Sequence, residues 1–507
     1  MTRSIKISSS IICFLLIQLF ISVKSIAQTL HVGTGYPFET LTEAAAIAVP
    51  GDTILVHEGT YAGGIFIADL KGTSSAWISI FAAESEIVIF SGGTNAWQFT
   101  DAAYLNIRNI IFEHQTGNGV NFDDGGTYIT PAHHIKFENC IFRNINATGN
   151  NDLLKLSGLD SFEIRHCIFL NGAEGGSGID MVGCHDGLIM NNHFEDLGSN
   201  SIQAKGGSRN IRIEANLFKH GGDRALNLGG STDLSYFRPI DAPYEAADLK
   251  VYSNIFIGSQ APIAFVGCIN SEAVNNTIYL PSKWVLRILQ ETVDPDRFPP
   301  CGNNTFRNNI VYLDDQVVVE CNIGPNTAPE TFTFSNNMWF HAQLPGWQGP
   351  VLPVVDHNNK IGEDPFFVNA AEENFSLMAE SHARGGALSV NEPEYDYAGI
   401  PFLGPRSIGA FQGGIATGIE NEIVDINEKI NIWPNPTNGE VHMEFSDLIN
   451  VPLNISVIDA MGRISRKIKL PAGCTSFLLD MSRMSKGKYI LYFTGENISL
   501  IKNILLQ

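Results

Sequence analysis

Basic charge is scarce in this chain. Its 507 residues hold 32 Lys+Arg against 53 Asp+Glu, a net charge of −21. The imbalance lies ahead of the last eighty residues, where 9 basic side chains face 7 acidic ones. So acidic a body excludes nucleic acid as the ligand, although a local basic cleft can still take an anionic glycan. Long apolar runs are absent after residue 27, which excludes a membrane span. Residues 1–27 read as a secretory signal: Arg3 and Lys6 form the basic start, Ile11–Val23 the apolar core, and Ser25-Ile26-Ala27 the cleavage site. Cysteine is also sparse. Of the 8 present, Cys13 falls in that signal, and the remaining odd number cannot all pair within the chain. No Cys/His spacing calls for zinc, no cofactor motif appears, and nothing in the pattern supports a calcium ion. Charged residues make up only 17% of the chain while glycines number 48, a composition of short strands and many tight turns.

What is present is a returning phrase. Ile-Met-Asn-Asn-His-Phe at 189–194 is followed by Ile-Glu-Ala-Asn-Leu-Phe at 213–218 and Tyr-Ser-Asn-Ile-Phe at 252–256. Asn192, Asn216, Asn254, Asn276, Asn309 and Asn337 each stand two residues before an apolar one, at gaps of 24, 38, 22, 33 and 28 residues. A floor near one length with longer excursions describes a rung of fixed size carrying loops of variable size. Cys140 and Cys167 occupy the Asn slot further upstream. Asn suits a stacked turn, since it tolerates left-handed backbone and its amide can bond to the next rung. The fold class that follows is all-β: a right-handed parallel β-helix, extending over 28–412, with a small β-sandwich behind it. Cys268 and Cys301 fall at equivalent turns of this repeat and read either as a disulfide or as two buried thiols.

One strand aligns across the rungs through its two inward residues: Val120/Phe122, Leu154/Leu156, Ile179/Met181, Ile202/Ala204, Leu226/Leu228, Ile263/Phe265 and Leu286/Ile288. Alternation turns the residue between each pair outward, so Asn121, Lys155, Asp180, Gln203, Asn227, Ala264 and Arg287 form one outer ladder. A second outer ladder, two residues on, contains Lys205. Long insertions follow this strand at 230–248 and 290–304 and are expected to wall a groove over the polar face. They bring Arg238, Tyr244 and Glu245 from the first, and Glu291 from the second. Arg224 begins its own rung.

At the N-terminal end, Thr40 or Thr42 caps a short helix over Ala44–Ala48 that Pro50-Gly51 stops, a pattern resembling the cap of pectate-lyase-like β-helices. Residues 341–412 are expected to close the other end, and 413–428 to be a linker. In 429–507, Ile432-Trp433-Pro434-Asn435-Pro436-Thr437-Asn438-Gly439, Ile458-Asp459-Ala460-Met461-Gly462-Arg463 and Gly487-Lys488-Tyr489-Ile490-Leu491 follow in order. They resemble the type A sorting domain of the type IX secretion system of Bacteroidota. That resemblance implies handling by the secretion machinery and a secreted or outer-surface location.

The run from Lys205 through Gly206-Gly207-Ser208-Arg209-Asn210-Ile211-Arg212-Ile213-Glu214-Ala215-Asn216-Leu217-Phe218 is similar to the lysine-bearing rung of the alginate lyase and chondroitinase B family. The resemblance implies a Lys base for β-elimination of a uronate, assisted by an Arg about one rung later. Here that slot holds Leu228 or Gly229, and Asn200 and Gln203 stand where the family has acidic calcium ligands. Arg224 or Arg238 is then the substitute cation. The expected catalytic set is Lys205, Arg224, Arg238, Tyr244 and Glu245. Asp180, Gln203, Asn227, Arg287 and Glu291 are expected to bind an anionic polysaccharide, with no metal and in a monomer. A non-catalytic glycan-binding or adhesin-like solenoid is the alternative. The run from Gly229 through Tyr236-Phe237-Arg238-Pro239 and Tyr244-Glu245, then Trp284 to Thr292, resembles secreted bacterial β-helix proteins, which supplies a family but no activity.

Overall fold

The computed structural model describes residues 27–83, 86–127, 129–402, 404–413, 430–445, 452–459, 464–495 and 498–507. The expected signal up to residue 26 and the linker from 414 lie outside them. Each turn of the coil lays down three strands in succession, and the described strands stack into parallel sheets of 15, 12 and 10. The first sheet runs from Thr29–Val32 to Asp356–His357, the second from Gly59–Ala62 to Lys360–Ile361, and the third from Ile65–Ala68 to Cys321–Ile323. This is the right-handed parallel β-helix. The register of the third sheet is the one the alternation implies: Val120 faces Leu154, Leu154 faces Ile179, and the series continues through Ile202, Leu226, Ile263 and Leu286.

Two internal columns hold the rungs in line. Phe90, Phe112, Phe142, Phe169, Phe194, Phe218 and Phe256 stack through the second sheet with centroids 4.7–6.1 Å apart. Beside them, the Oδ1 of each asparagine from Asn216 to Asn337 accepts the backbone N–H of the preceding one at 2.8–2.9 Å. The ladder asparagine is not itself left-handed. The residue before it is, with φ of 57° at Asn191, 52° at Ala215 and 52° at Ser253. The division has a physical reason: the preceding residue makes the bend, and the asparagine side chain satisfies the backbone groups that the bend leaves unpaired.

The N-terminal cap is the helix Leu41–Ala45, starting earlier than the alanine run suggests because Thr40 and Glu43 form a capping box. Leu41 and Ala44 are buried against the first rungs. The C-terminal end differs from expectation. Trp347, Leu352 and Val354 pack against the last core residues, whereas the segment beyond 361 turns back along the outside of the second sheet. There Phe375, Ala383, Ile408 and Ala410 cover Leu217, Ile255, Ile310 and Met338. Cys268 and Cys301 are both free, buried thiols, with burial pushing the Cys301 thiol up to about 12.

The C-terminal sandwich consists of a three-stranded antiparallel sheet (Ile430–Trp433, Glu440–Phe445, Ser476–Asp480) and a four-stranded one. The latter comprises Ile464–Leu470, Leu453–Asp459, Gly487–Gly495 and Ile498–Leu506. Val441, Met443, Ile455, Val457, Leu479 and Leu491 are among the residues of its own core.

Candidate functional site

The outer face of the third sheet carries a line of polar side chains that register places on adjacent strands. Lys155 faces Asp180, Asp180 faces Gln203, and Gln203 faces Asn227. Asp180 points away from the core, as its neighbours Ile179 and Met181 point in, yet it has no exposed surface. Lys155 covers it from one side by donating to its Oδ2. From the other side the Lys205 ammonium lies 3.4 Å from its Oδ1, an ionic contact without hydrogen-bond geometry. Lys205 also donates to Gln203 Oε1 at 3.2 Å.

Asp152 is the residue the sequence reading passed over. It is buried, accepts the Ser177 N–H at 2.8 Å, and lies 3.6 Å from the Lys155 ammonium. Burial and the neighbouring Asp180 charge push its carboxyl up to about 6, against the opposing pull of Lys155. For Lys155 itself burial favours the neutral amine, but Asp180 and Asp152 outweigh it and raise its pKa. Lys155 therefore stays charged. Its signal was legible, since it stands on the outer ladder three residues after Asp152.

Further along the face, Arg224 donates to Asn227 Oδ1 at 3.0 Å and to Glu291 Oε1 at 2.9 Å. Arg287 donates to Asn322 at 3.0 Å and lies over the Trp284 ring at 4.6 Å. Burial and the nearby Arg224 charge lower its pKa. Thus Lys205, Asp180, Gln203, Asn227, Arg224, Glu291 and Arg287 share one face.

Three expected site residues do not join them. Arg238 turns toward the first sheet, where it clamps Asp160 through two hydrogen bonds of 2.7 Å and donates to Gly183 O at 2.9 Å. Glu245 is fully buried and accepts from Gly206 N at 2.8 Å, Thr232 N at 2.9 Å and the Thr232 and Thr292 hydroxyls. Tyr244 packs with Phe237, Ala242 and Phe298. These residues fasten the insertions to the solenoid and do not reach the polar face. The insertions also do not flank a groove. Phe237 of the first and Phe298 of the second pack at 5.3 Å, and Arg297 bonds to Ile240 O at 2.7 Å, so the two fuse into one lobe. The lobe's backbone comes so close after Lys205 that a Cβ on Gly207 (φ +90°) would lie 2.4 Å from Arg238 O.

Among the described residues, no group of three or more His, Cys, Asp and Glu is placed to hold a metal ion. Nor is any described helix long and apolar enough to cross a membrane.

Comparison with known proteins agrees with this architecture. Residues 95–278 match the family model of the right handed beta helix region, and residues 431–507 that of the secretion system C-terminal sorting domain. The chain is a β-helix with a sorting domain. That domain marks it for type IX secretion, to the cell surface or the extracellular space. No curated protein matches the sequence. Among solved structures, pectate lyase Pel9A is 12% identical with a TM-score of 0.52, over 77% of this chain and 97% of its own. An alginate lyase from Paenibacillus sp. str. FPU-7 is 16% identical with a TM-score of 0.36, over 66% and 99%. The tailspike gp49 of Acinetobacter baumannii bacteriophage Fri1, a capsular polysaccharide depolymerase, is 10% identical with a TM-score of 0.35, over 95% and 78%. At these identities the first likeness shows the fold and nothing about the reaction.

Proposed function

We propose that the exported protein is a monomeric, carbohydrate-active β-helix that cleaves an acidic polysaccharide by β-elimination on the outer face of its third sheet. The reading takes 28–412 as the solenoid, 413–428 as a linker and 429–507 as the sorting domain. The observation that carries it is that Lys155 and Lys205 converge on Asp180 from the two strands that flank it, with Arg224 one strand further along the same face. Cations set along a face of strands about 4.8 Å apart suit a polysaccharide that carries carboxylates along its chain.

In this reading Lys155 stays protonated and neutralises the sugar carboxylate, which stabilises the enolate as the C5 proton leaves. Lys205, as the neutral amine, takes that proton. The C5–H electrons form the C4–C5 double bond, and the C4–O bond breaks. The Lys205 ammonium can then return a proton to the leaving oxygen in a syn elimination. Tyr244, expected in the catalytic set, packs into the lobe and is not needed. The test is incubation with a panel of uronic-acid polysaccharides, read by the ultraviolet absorbance of an unsaturated uronate. Absorbance that grows with enzyme and time supports the reading. Binding of a polysaccharide without product supports the alternative, a glycan-binding solenoid, which the ion contact between Lys205 and Asp180 favours because it engages the amine with a carboxylate of the protein.

A further inference from the structure

The outer face of the second sheet carries a second column, and it is apolar. Ile89, Ile111, Ile141 and Ile168 are successive strand partners. They point outward, because the phenylalanines that follow them in the chain form the inner stack. A solvated wall would alternate apolar-in with polar-out. An uncovered isoleucine stripe four rungs long would be a sticky patch of the kind that marks an interaction site. The same column is interrupted at His193 and resumes at Leu217, where the returning segment beyond residue 361 covers it.

The upstream half has a different cover. Ile458, Ile464, Ile490 and Tyr492, all from the four-stranded sheet of the sorting domain, pack against Ile111, Ile141, Ile168 and Leu170. The four solenoid residues are only 1–5% exposed. Polar contacts fix the rim. The Tyr492 hydroxyl donates to His166 O at 2.6 Å, Lys467 donates to Glu86 O at 3.1 Å, and Lys488 lies 3.3 Å from Glu195 Oε1. Arg143, outward beside Ile141 and paired with Glu113 at 2.7 Å, is 1% exposed, so even a charged residue of this wall is shielded from water. An apolar centre with hydrogen bonds and a charge pair at its edge is the anatomy of a specific interface.

We propose that this stripe is a docking site for the chain's own sorting domain, so that signal and solenoid are secreted as one packed unit. The interface uses the outward face of Gly487–Gly495, including Lys488 and Ile490, which belong to the third sorting motif. Machinery that reads that face has to lift the domain off first. Removal of the domain uncovers the isoleucines.

The test uses the full chain with a protease site placed between residues 414 and 429. After cutting, the two parts are expected to co-elute at micromolar concentration. Uncut protein is expected to scatter X-rays as a single compact body. Ile141→Asp changes an outward side chain and leaves the phenylalanine stack in place, while Lys488→Glu sets two acids against each other at Glu195. Each is expected to weaken association of the cut parts by about tenfold or more. Separation of the cut wild-type parts, or scattering from two independently moving bodies, overturns the proposal. Neither result touches the lyase reading, whose residues lie on a different sheet.

Discussion

The Lys205 ammonium lies 3.4 Å from the carboxylate of Asp180, one rung upstream, and Asp180 has no exposed surface. Lys155 approaches the same carboxylate from the other side. One buried anion therefore holds two cations on the polar face. Replacing it by Asp180→Asn leaves Lys205 without its counter-charge and Lys155 with Asp152 alone. We expect a loss of about 3 kcal/mol in stability, as for other broken buried pairs. Chemical denaturation measures it, and a change within error would mean that the pairing carries no energy.

Glu245 joins both insertions to the solenoid by accepting from Gly206, Thr232 and Thr292. Glu245→Ala orphans these donors, at about 1–3 kcal/mol for each one left buried. The loss falls on the lobe, because the stacked rungs carry their own ladders. Limited proteolysis is expected to cut the variant within 230–248 while the remainder melts as before. Equal resistance of variant and wild type would show that Phe237, Phe298 and Arg297 suffice to hold the lobe.

Acid should loosen the same lobe from its other side. Burial opposes ionisation of Asp160, but the hydrogen bonds from Arg238 and His185 outweigh it and lower its pKa from 3.8 to about 2. A carboxyl with a depressed folded-state pKa stabilises the fold above its unfolded value, and that contribution disappears as the pH falls through the folded one. The melting temperature of the wild type is therefore expected to fall from about pH 4 toward pH 2 more steeply than that of Asp160→Asn. Parallel curves would remove Asp160 from the acid response.

How far the sequence reveals all this depends on strand length and on chain reversal. The third sheet was legible because pairs such as Ile179/Met181 and Ile202/Ala204 span enough residues to show alternation, and the same arithmetic placed Lys205 and Asp180 together. The asparagine slots were legible because each sits at a fixed offset from an inward residue. The isoleucine stripe was not, since Ile141–Arg143 and Ile168–Leu170 are three residues long and read as uniform apolar stubs. Nor was the position of Arg238. Its partner Asp160 lies 78 residues earlier, and no local pattern tells an insertion to fold back around a corner.

The ladder offers a sharper test of the coil. Asn254 is fully buried, accepts from the Asn216 N–H and side-chain amide, and donates to Ile213 O and Asn276. Asn254→Ala leaves buried donors and an acceptor unpaired and opens a small void, so we expect a cost of about 3 kcal/mol or more. Ala215, left-handed at φ 52°, belongs to the bend one rung earlier, whose Asn216 bonds to Asn254, and adds strain that the ladder bonds hold in place. Hydrogen exchange should quicken at Asn216 and Ile255 before it does at the rungs near Val120. Uniform exchange along the coil would count against the ladder as a local support.

Lys205 decides between enzyme and binder. Its side chain is 12% exposed and outside the core, while Asp180 keeps Lys155 as a partner when Lys205 is removed. Lys205→Ala should therefore change the melting temperature far less than Asp180→Asn does. For a lyase it should abolish product formation, because no neighbouring group replaces the amine that takes the C5 proton. Lys205→Arg separates charge from basicity: guanidinium keeps a cation on the face but holds its proton far above neutral pH. If polysaccharide binding survives in Lys205→Arg while turnover is lost, the amine acts as a base. Turnover retained in Lys205→Ala, with a large drop in stability, makes the residue a structural counter-ion and ends the catalytic assignment.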